Sequence, residues 1–437
     1  MGIIQASIPL FFVCIAAELL LAQLGRRPFY RLNDSISDLS AGTISQVAGV
    51  FTKVLLIAVY AWTFEHLRLS QWVPQWLALP AWPDRPWRTA DGAIDAAVVG
   101  AWSLAFVAVD FAYYWFHRAS HEVNLFWAGH VVHHSSEEYN LAVALRQSAV
   151  GGLLSWVFYI PLALCGLPWE PFAVCYALNL VYQFWIHTRA IDRLPAWCEA
   201  VLNTPSHHRV HHGVNPEYQD RNYAGVFIVW DRWFGSYTPE RQEPVYGLTT
   251  PLRSWNPLWV QLHQYVTIAR NVWHARSWRD RWHHVFGSPA WRPAEQGGPI
   301  VLPAVSRDTF APFDPQVPRA LSWYALLHFA LVIPAALWFL SHADSLAVGQ
   351  LLAGAFYIAL SLTNVGGILE ARRWAFASEQ ARLGAMTLAG VMLAVRGAPP
   401  YGITVAVVCT VSLAWLWTHR EAFTAPSDER MDLHGAH

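Results

Sequence analysis

Residues 117–134 read HRASHEVNLFWAGHVVHH. Five histidines stand here at helix spacing, directly after an apolar run. His117 and His121 are four apart, which puts them on one helix face. His130, His133 and His134 repeat the pattern as i, i+3, i+4, and so do His208, His211 and His212 within HHRVHH at 207–212. This second cluster also follows an apolar run. His207 sits one position earlier and faces about 100° away on a helix, which leaves it a possible further metal ligand. His187 closes an apolar run and can reach a shared site from the side. The rest of the chain makes most sense as a device that brings these clusters together beside a membrane.

The composition agrees with that setting. Of 437 residues, 54% are hydrophobic and only 14% charged, and the mean hydropathy is +0.25. A soluble chain carries about 25% charged residues. The 25 tryptophans fit too, because Trp gathers at membrane–water interfaces. A net charge of -1 offers no footprint for nucleic acid. Lys53 is the one lysine; this arginine bias suits a GC-rich bacterial genome, and hence an inner membrane. Cys14, Cys165, Cys175, Cys198 and Cys409 are scattered and form no CxxC. They read as small apolar residues, with no disulfide framework. No basic residue precedes the first apolar run, so it is expected to be a retained span and not a cleaved signal.

A helix needs about 20 apolar residues to cross a bilayer. Runs of this kind lie at 3–24, 43–64, 98–116, 150–166, 169–187, 320–341, 346–366, 383–395 and 401–417. The expected fold is an all-α integral membrane protein with about nine transmembrane helices and a cytoplasmic, histidine-rich di-metal cap. The expected division is 1–97 for N-terminal spans and an interfacial loop, 98–319 for the histidine-bearing domain and its cap, 320–418 for C-terminal spans and 419–437 for a polar, disordered tail. The Pro- and Trp-rich segment 72–88 reads as the interfacial loop.

Arg26, Arg27 and Arg31 follow the first span, which assigns that loop to the cytoplasm. Counting spans onward puts 117–134 and 187–212 on the same side, together with the Arg-rich stretch 189–319. The opposite loop 342–345 has no Lys or Arg. Both clusters thus share one face, as a common site requires.

A lone interfacial histidine is an ordinary amphipathic residue. Three sets at ligand spacing are different. Without a metal, so many imidazoles would repel when protonated or leave donors unpaired. All-imidazole sites suit Zn, Cu, Fe or Ni. A structural zinc site takes four ligands, so eight or nine histidines suit two metals. Two irons would serve O2 chemistry and two zincs hydrolysis; spacing alone leaves both open. A histidine-rich metal transporter is the reading of a different class. It would hold its ligands near mid-membrane, often in two related halves. Here they gather beyond the span ends, and no internal repeat is evident.

Longer words flank the histidines. YRLNDSISDLSAG (30–42), DFAYYWFHRASHE (110–122), FWAGHVVHHSSEEYNLAVALRQS (126–148), FWIHT (184–188), LNTPSHHRVHHG (202–213) and NYAGVFIVWDRWFGSY (222–237) resemble the fatty acid hydroxylase/sterol desaturase superfamily, and within it most closely the alkylglycerol monooxygenase family. YGLTTPLRSWNP (246–257) and LTNVGGILEARRWA (362–375) do so more loosely. The resemblance is strong over 28–260 and weak at the first span and the last hundred residues. It implies two irons held by His117, His121, His130, His133, His134, His187, His208, His211 and His212, which would use O2 to hydroxylate a lipid C–H bond. The carbon implied is the one next to the ether oxygen of an alkylglycerol, with aldehyde and glycerol as products. Fatty acid or sterol hydroxylation or desaturation is the alternative. Tetrahydrobiopterin is the implied reductant, or else a cytochrome b5-type electron-donor protein. The substrate would be a lipid within the membrane.

Several neighbours invite roles. Asp110 lies seven residues before His117, two turns away on one face, and an intramembrane carboxylate is costly and often functional. It either accepts a ligand imidazole N–H or pairs with Arg118 or a tyrosine. Glu122 abuts His121 and resembles an acidic residue of the family motif; otherwise it is a solvated helix end. Asn203 and Gln183 can hydrogen-bond ligands or substrate. Asn140, Arg146 and Tyr139 can meet a polar head group or cofactor. Asp231 and Gly235 read as a turn that pins the cap. Arg189 stands where the resemblance leads one to expect an acidic residue, which bears on the polar end of the substrate and on pterin use.

Overall fold

The computed structural model describes residues 3–73 and 81–424. Parts of the expected interfacial loop (74–80) and polar tail (425–437) lie outside the described residues. Among the described residues the structure is helical, with three isolated β-bridges. The helices are α1 (Ile3–Leu24), α2 (Leu32–Leu67), α3 (Ala96–Glu122), α4 (Asn124–His134), α5 (Gly151–Leu164), α6 (Trp169–Trp185), α7 (Ala196–Val201), α8 (Pro205–His211), α9 (Val229–Phe234), α10 (Pro257–His274), α11 (Trp278–Phe286), α12 (Arg319–His342), α13 (Val348–Leu369), α14 (Arg373–Val395) and α15 (Pro399–Thr418).

Each of the nine apolar runs falls on a helix, but among the described residues six helices (α1, α2, α3, α12, α13 and α15) are long and apolar enough to cross a membrane. The reasons for the difference are physical. α5 has 14 residues and α6 has 17, both short of the roughly 20 a crossing needs. α14 has 23 residues but carries Arg373, Glu379 and Arg382 in its first half. The shared side of the two histidine clusters does not depend on α5 and α6 crossing. It rests on the convergence of their rings in the structure.

The helices group into two compact units, each built from discontinuous segments. One contains Met1–Arg31, Ser45–Pro251 and Gln261–Ala311. The other contains Leu32–Ile44, Leu252–Val260 and Pro312–His437. The sequence division ran along the chain, whereas these units interleave.

In the first unit α3 is the axis, packed against α4, α5 and α6. Its start is fixed by Asp95, whose side chain accepts the N–H groups of Ala97 and Val98. Val123 then turns extended (φ -120°, ψ 123°) and α4 begins at Asn124. The stretch 117–134 is therefore two helices with a corner. Asn124 fixes that corner: its N–H donates to the Gly287 carbonyl at 2.9 Å and its side-chain amide to the His284 carbonyl at 2.8 Å. Behind α3, Val109, Ala112, Tyr159, Ala163 and Cys175 form an apolar core. The buried Glu18 of α1 accepts the Leu141 N–H at 2.8 Å and the hydroxyls of Tyr30 and Thr188. It thereby ties α1 to the residue after His187.

In the second unit α14 and α15 approach closely at Gly390 and Gly402, where a Cβ on either would strike the other helix's backbone. Small residues allow such contact between membrane helices. A buried ion pair explains how the charges of α14 are tolerated. Glu379 accepts from Arg382 at 2.6 and 2.8 Å, from Tyr324 at 2.7 Å and from Asn364 at 2.9 Å. Arg382 also meets His328 Nδ1 at 3.2 Å.

Candidate metal centre

Four pieces of chain bring the histidines together. The last two turns of α3 carry His117 and His121, and the end of α4 carries His130, His133 and His134. His187 follows α6, and α8 with its C-cap carries His208, His211 and His212. They converge in two groups: His117, His121, His130, His134 and His211, then His133, His187, His208 and His212. Within each group one ring nitrogen per residue lies within 4.8 Å of the others.

The groups cut across the sequence clusters in a regular way. Each i, i+4 pair (His117 with His121, His130 with His134, His208 with His212) faces one group, as helix geometry requires. The i+3 partners cross over: His133 leaves its helix neighbours for the second group, and His211 joins the first. Helices α4 and α8 therefore serve both groups and hold them side by side. The rings of His134 and His212, one from each group, stack at 4.4 Å.

The nitrogen spacing is informative. His117 Nε2 and His130 Nε2 are 2.9 Å apart, and His130 and His134 are 3.1 Å apart. In the other group His133 to His187 is 3.1 Å and His187 to His208 is 3.0 Å. With metal–nitrogen bonds of about 2.1 Å, adjacent corners of an octahedron are about 3.0 Å apart and those of a tetrahedron about 3.4 Å. These shortest contacts are close to the octahedral edge, and each full group lies within 4.8 Å.

The outward nitrogens are organised as well. His117 Nδ1 meets the Tyr223 carbonyl at 2.7 Å, His133 the Arg146 carbonyl at 3.1 Å, His187 the Gln183 carbonyl at 2.7 Å and His211 the Arg221 carbonyl at 2.9 Å. His121 Nδ1 lies 3.4 Å from an Asp220 carboxylate oxygen. A carbonyl can only accept, so Nδ1 keeps the proton and Nε2 presents its lone pair inward. The inward Nε2 atoms of His121, His211 and His212 are buried with no protein partner, as atoms reserved for a cation would be. Burial holds His133 down to about 4. Burial first and neighbouring imidazoles second hold His130, His134, His208, His211 and His212 well below the usual range. These six rings are thus neutral near pH 7, the form in which imidazole binds metal.

The other sequence candidates find different partners. Asp110 accepts from Asn179 at 2.7 Å, the Val226 N–H at 2.8 Å, the Phe227 N–H at 3.0 Å and the Trp230 indole at 2.9 Å. No imidazole, Arg118 or tyrosine is among these, so the expected acceptor for a ligand ring is instead a clasp for the loop before α9. Gly225 passes over that carboxylate, where a Cβ would lie 2.8 Å from Asp110 Oδ1. Asn203 reinforces the clasp by donating to the Ala224 and Gly225 carbonyls. Gln183 donates to Asn179 and meets the centre through its backbone carbonyl on His187. Arg146, fully buried, donates to the Val132 carbonyl at 2.7 Å and to Ser135, capping the end of α4 where a cation suits the helix dipole. Asn140 holds the Phe29 carbonyl and its own turn at Ala142. Glu122 pairs with Arg118 at the helix end, 2.9 Å apart and half exposed. His207 lies outside both groups and meets Thr204. Asp231 binds the N–H groups of Tyr223 and Ala224, and Gly235 ends α9 at φ +76°, so these two form a turn. Arg189 pairs with Glu138 at 2.7 Å.

Sequence reasoning missed the segment 220–223, which faces three rings of the five-histidine group through Asp220, Arg221 and Tyr223. Backbone carbonyls leave no trace in residue type. The one available signal is an Asp and an Asn at 220 and 222, both at positive φ (56° and 55°), a conformation these residues tolerate better than most. Tyr139, stacked 5.7 Å from His187, walls the four-histidine group.

The family model for fatty acid hydroxylase matches residues 102–236, the stretch from within α3 to the turn after α9. Among curated proteins, alkylglycerol monooxygenase of Xenopus tropicalis is 39% identical over 83% of this chain and 76% of its own length. The Homo sapiens protein of the same name is 38% identical over 84% and 78%. An ornithine lipid hydroxylase of Rhizobium tropici is 26% identical over 31% of this chain and 43% of its own. No solved structure matches the chain significantly. An integral membrane chain whose histidine centre falls inside the matched region, and whose likeness to these relatives runs over most of its length, belongs to the alkylglycerol monooxygenase family.

Proposed function

We propose that the protein is a di-iron lipid monooxygenase that hydroxylates the carbon next to the ether oxygen of an alkylglycerol. The resulting hemiacetal would separate into an aldehyde and glycerol. The observation that carries this reading is the division of nine histidines, eight of them buried, into groups of five and four whose ring nitrogens lie within 4.8 Å of one another. Two irons held there would supply O2 activation and insertion of one oxygen atom into an unreactive C–H bond, with electrons from tetrahydrobiopterin or a b5-type donor. The relatives named alkylglycerol monooxygenase support the ether substrate.

The chain's own contribution is positional. His117, His133, His187 and His211 are held in one tautomer by backbone carbonyls. Asp110 and Asn203 fix the loop that carries two of those carbonyls. Arg146 closes the end of α4. The spanning helices give a lipid chain a route from the bilayer, and Arg26, Arg27 and Arg31 favour a cytoplasmic position for the site. The arginine-for-lysine bias favours a bacterial inner membrane.

The test uses protein purified without oxygen and given a labelled alkylglycerol, O2 and either tetrahydrobiopterin or a b5-type donor. Labelled aldehyde formed with one of the two reductants is expected. Hydroxylation of a fatty acid or sterol, with the alkylglycerol untouched, would overturn the ether reading. It would keep the chemistry.

A further inference from the structure

α10 and α11 carry two exposed apolar stripes that the centre does not use. On α10, Leu262, Val266 and Trp273 follow one another at helical spacing, and all are exposed, Trp273 to 81%. Thr267, Arg270 and His274 flank that stripe on one side. The other side of the helix faces inward through Gln261 and Ile268, and Ala275 just beyond its end is buried too. On α11, Trp278, Trp282 and Phe286 recur every four residues and are likewise exposed, the first to 81% and the second to 62%. Ile300, Val301 and Leu302 are exposed as well, and the Ile300 N–H donates to the Ala290 carbonyl, which keeps them near the end of α11.

A soluble surface seldom leaves so much aromatic area in water. Its chemistry fits one occupant. Between Gln261 and Phe286 stand Arg270, Arg276, Arg279 and Arg281 against the single acid Asp280. The Arg281 guanidinium lies 4.8 Å over the Trp278 ring. Amphipathic helices with tryptophans on the apolar side and arginines beside them bind the interface of a bilayer containing anionic lipid. We propose that α10 and α11 form a monotopic anchor whose Leu262–Val266–Trp273 and Trp278–Trp282–Phe286 stripes lie in the headgroup region of an anionic membrane.

The anchor has a mechanical link to the centre. Asn124, at the start of the ligand helix α4, is held by the Gly287 and His284 carbonyls of α11 and its C-cap and receives the Gln264 side-chain amide of α10 at 2.7 Å. Seating these helices in the interface would set the depth of the helix that carries His130, His133 and His134. The proposal is independent of the substrate.

The test places a spin label at Val266, Trp273 or Trp282, and at the flanking Thr267, in the full chain with Cys165 replaced. The protein is reconstituted in phosphatidylcholine vesicles with a quarter phosphatidylglycerol. Labels on the three stripe positions should collide several-fold more with O2 than with a water-soluble nickel reagent, and the Thr267 label should show the reverse. The four side chains are exposed, so the labels displace no core packing. Equal nickel access at stripe and flank would show an aqueous face and overturn the proposal. So would dipolar broadening between labels on two chains, which would make the stripes a protein interface.

Discussion

The Oδ2 atom of Asp110 accepts the Trp230 indole N–H at 2.9 Å. Its Oδ1 takes the Val226 N–H at 2.8 Å. Through these bonds one carboxylate of α3 sets the loop whose Arg221 and Tyr223 carbonyls orient His211 and His117. Asp110→Ala would strand four donors in a buried place. Each unsatisfied group costs about 1–3 kcal/mol, and with partial relaxation the total loss is about 3–5 kcal/mol. Thermal unfolding in detergent should show it, together with weakened metal retention. A change below about 1 kcal/mol would show that the clasp is dispensable.

Gly225 gives an independent probe of the same contact. An alanine methyl there would lie 2.8 Å from Asp110 Oδ1 and Tyr113 Cδ1, and 3.0 Å from Asn179 Oδ1. These neighbours are packed and bonded, so relief requires the loop to move. Overpacking of this kind costs about 1–3 kcal/mol. Gly225→Ala should lower the unfolding temperature and the iron content together. An unchanged iron content in a destabilised variant would separate the loop from the centre.

The centre should be acid-labile. Burial depresses the folded-state values of His130, His133, His134, His208, His211 and His212, with His133 at about 4. Unfolded histidine titrates near 6.5. Between those values the unfolded chain binds more protons, so stability rises with pH across that window. The contribution is complete above about 6.5 and lost as pH falls towards about 4. Proton competition for Nε2 acts in the same direction. Metal analysis after dialysis should find full retention at neutral pH and progressive release through that window. Retention undiminished at the low end would contradict ligation by imidazole.

Much of this was legible in the chain. His117 and His121, or His208 and His212, share a helix face wherever the helices go, and parity of the apolar runs put both clusters on one side. The division into five and four was not legible. It depends on the corner at Val123 and on α8 meeting α4 so that His133 and His211 change groups. Asp110 was visible as a costly carboxylate, but its partners lie 69 to 120 residues away. The carbonyls on the ligand rings have no side-chain signature at all. In α14 the sequence pointed to 383–395 because Glu379 and Arg382 break the apolar run. The helix begins at Arg373 because those charges satisfy each other.

The central claim is that the five- and four-histidine groups each hold an iron. The direct measurement is the iron-to-protein ratio of the chain purified without oxygen, set beside His133→Ala and His211→Ala, one from each group. Two irons per chain are expected in the unaltered protein, with loss of both iron and turnover in each variant. One iron per chain, or turnover that survives either substitution, would contradict it.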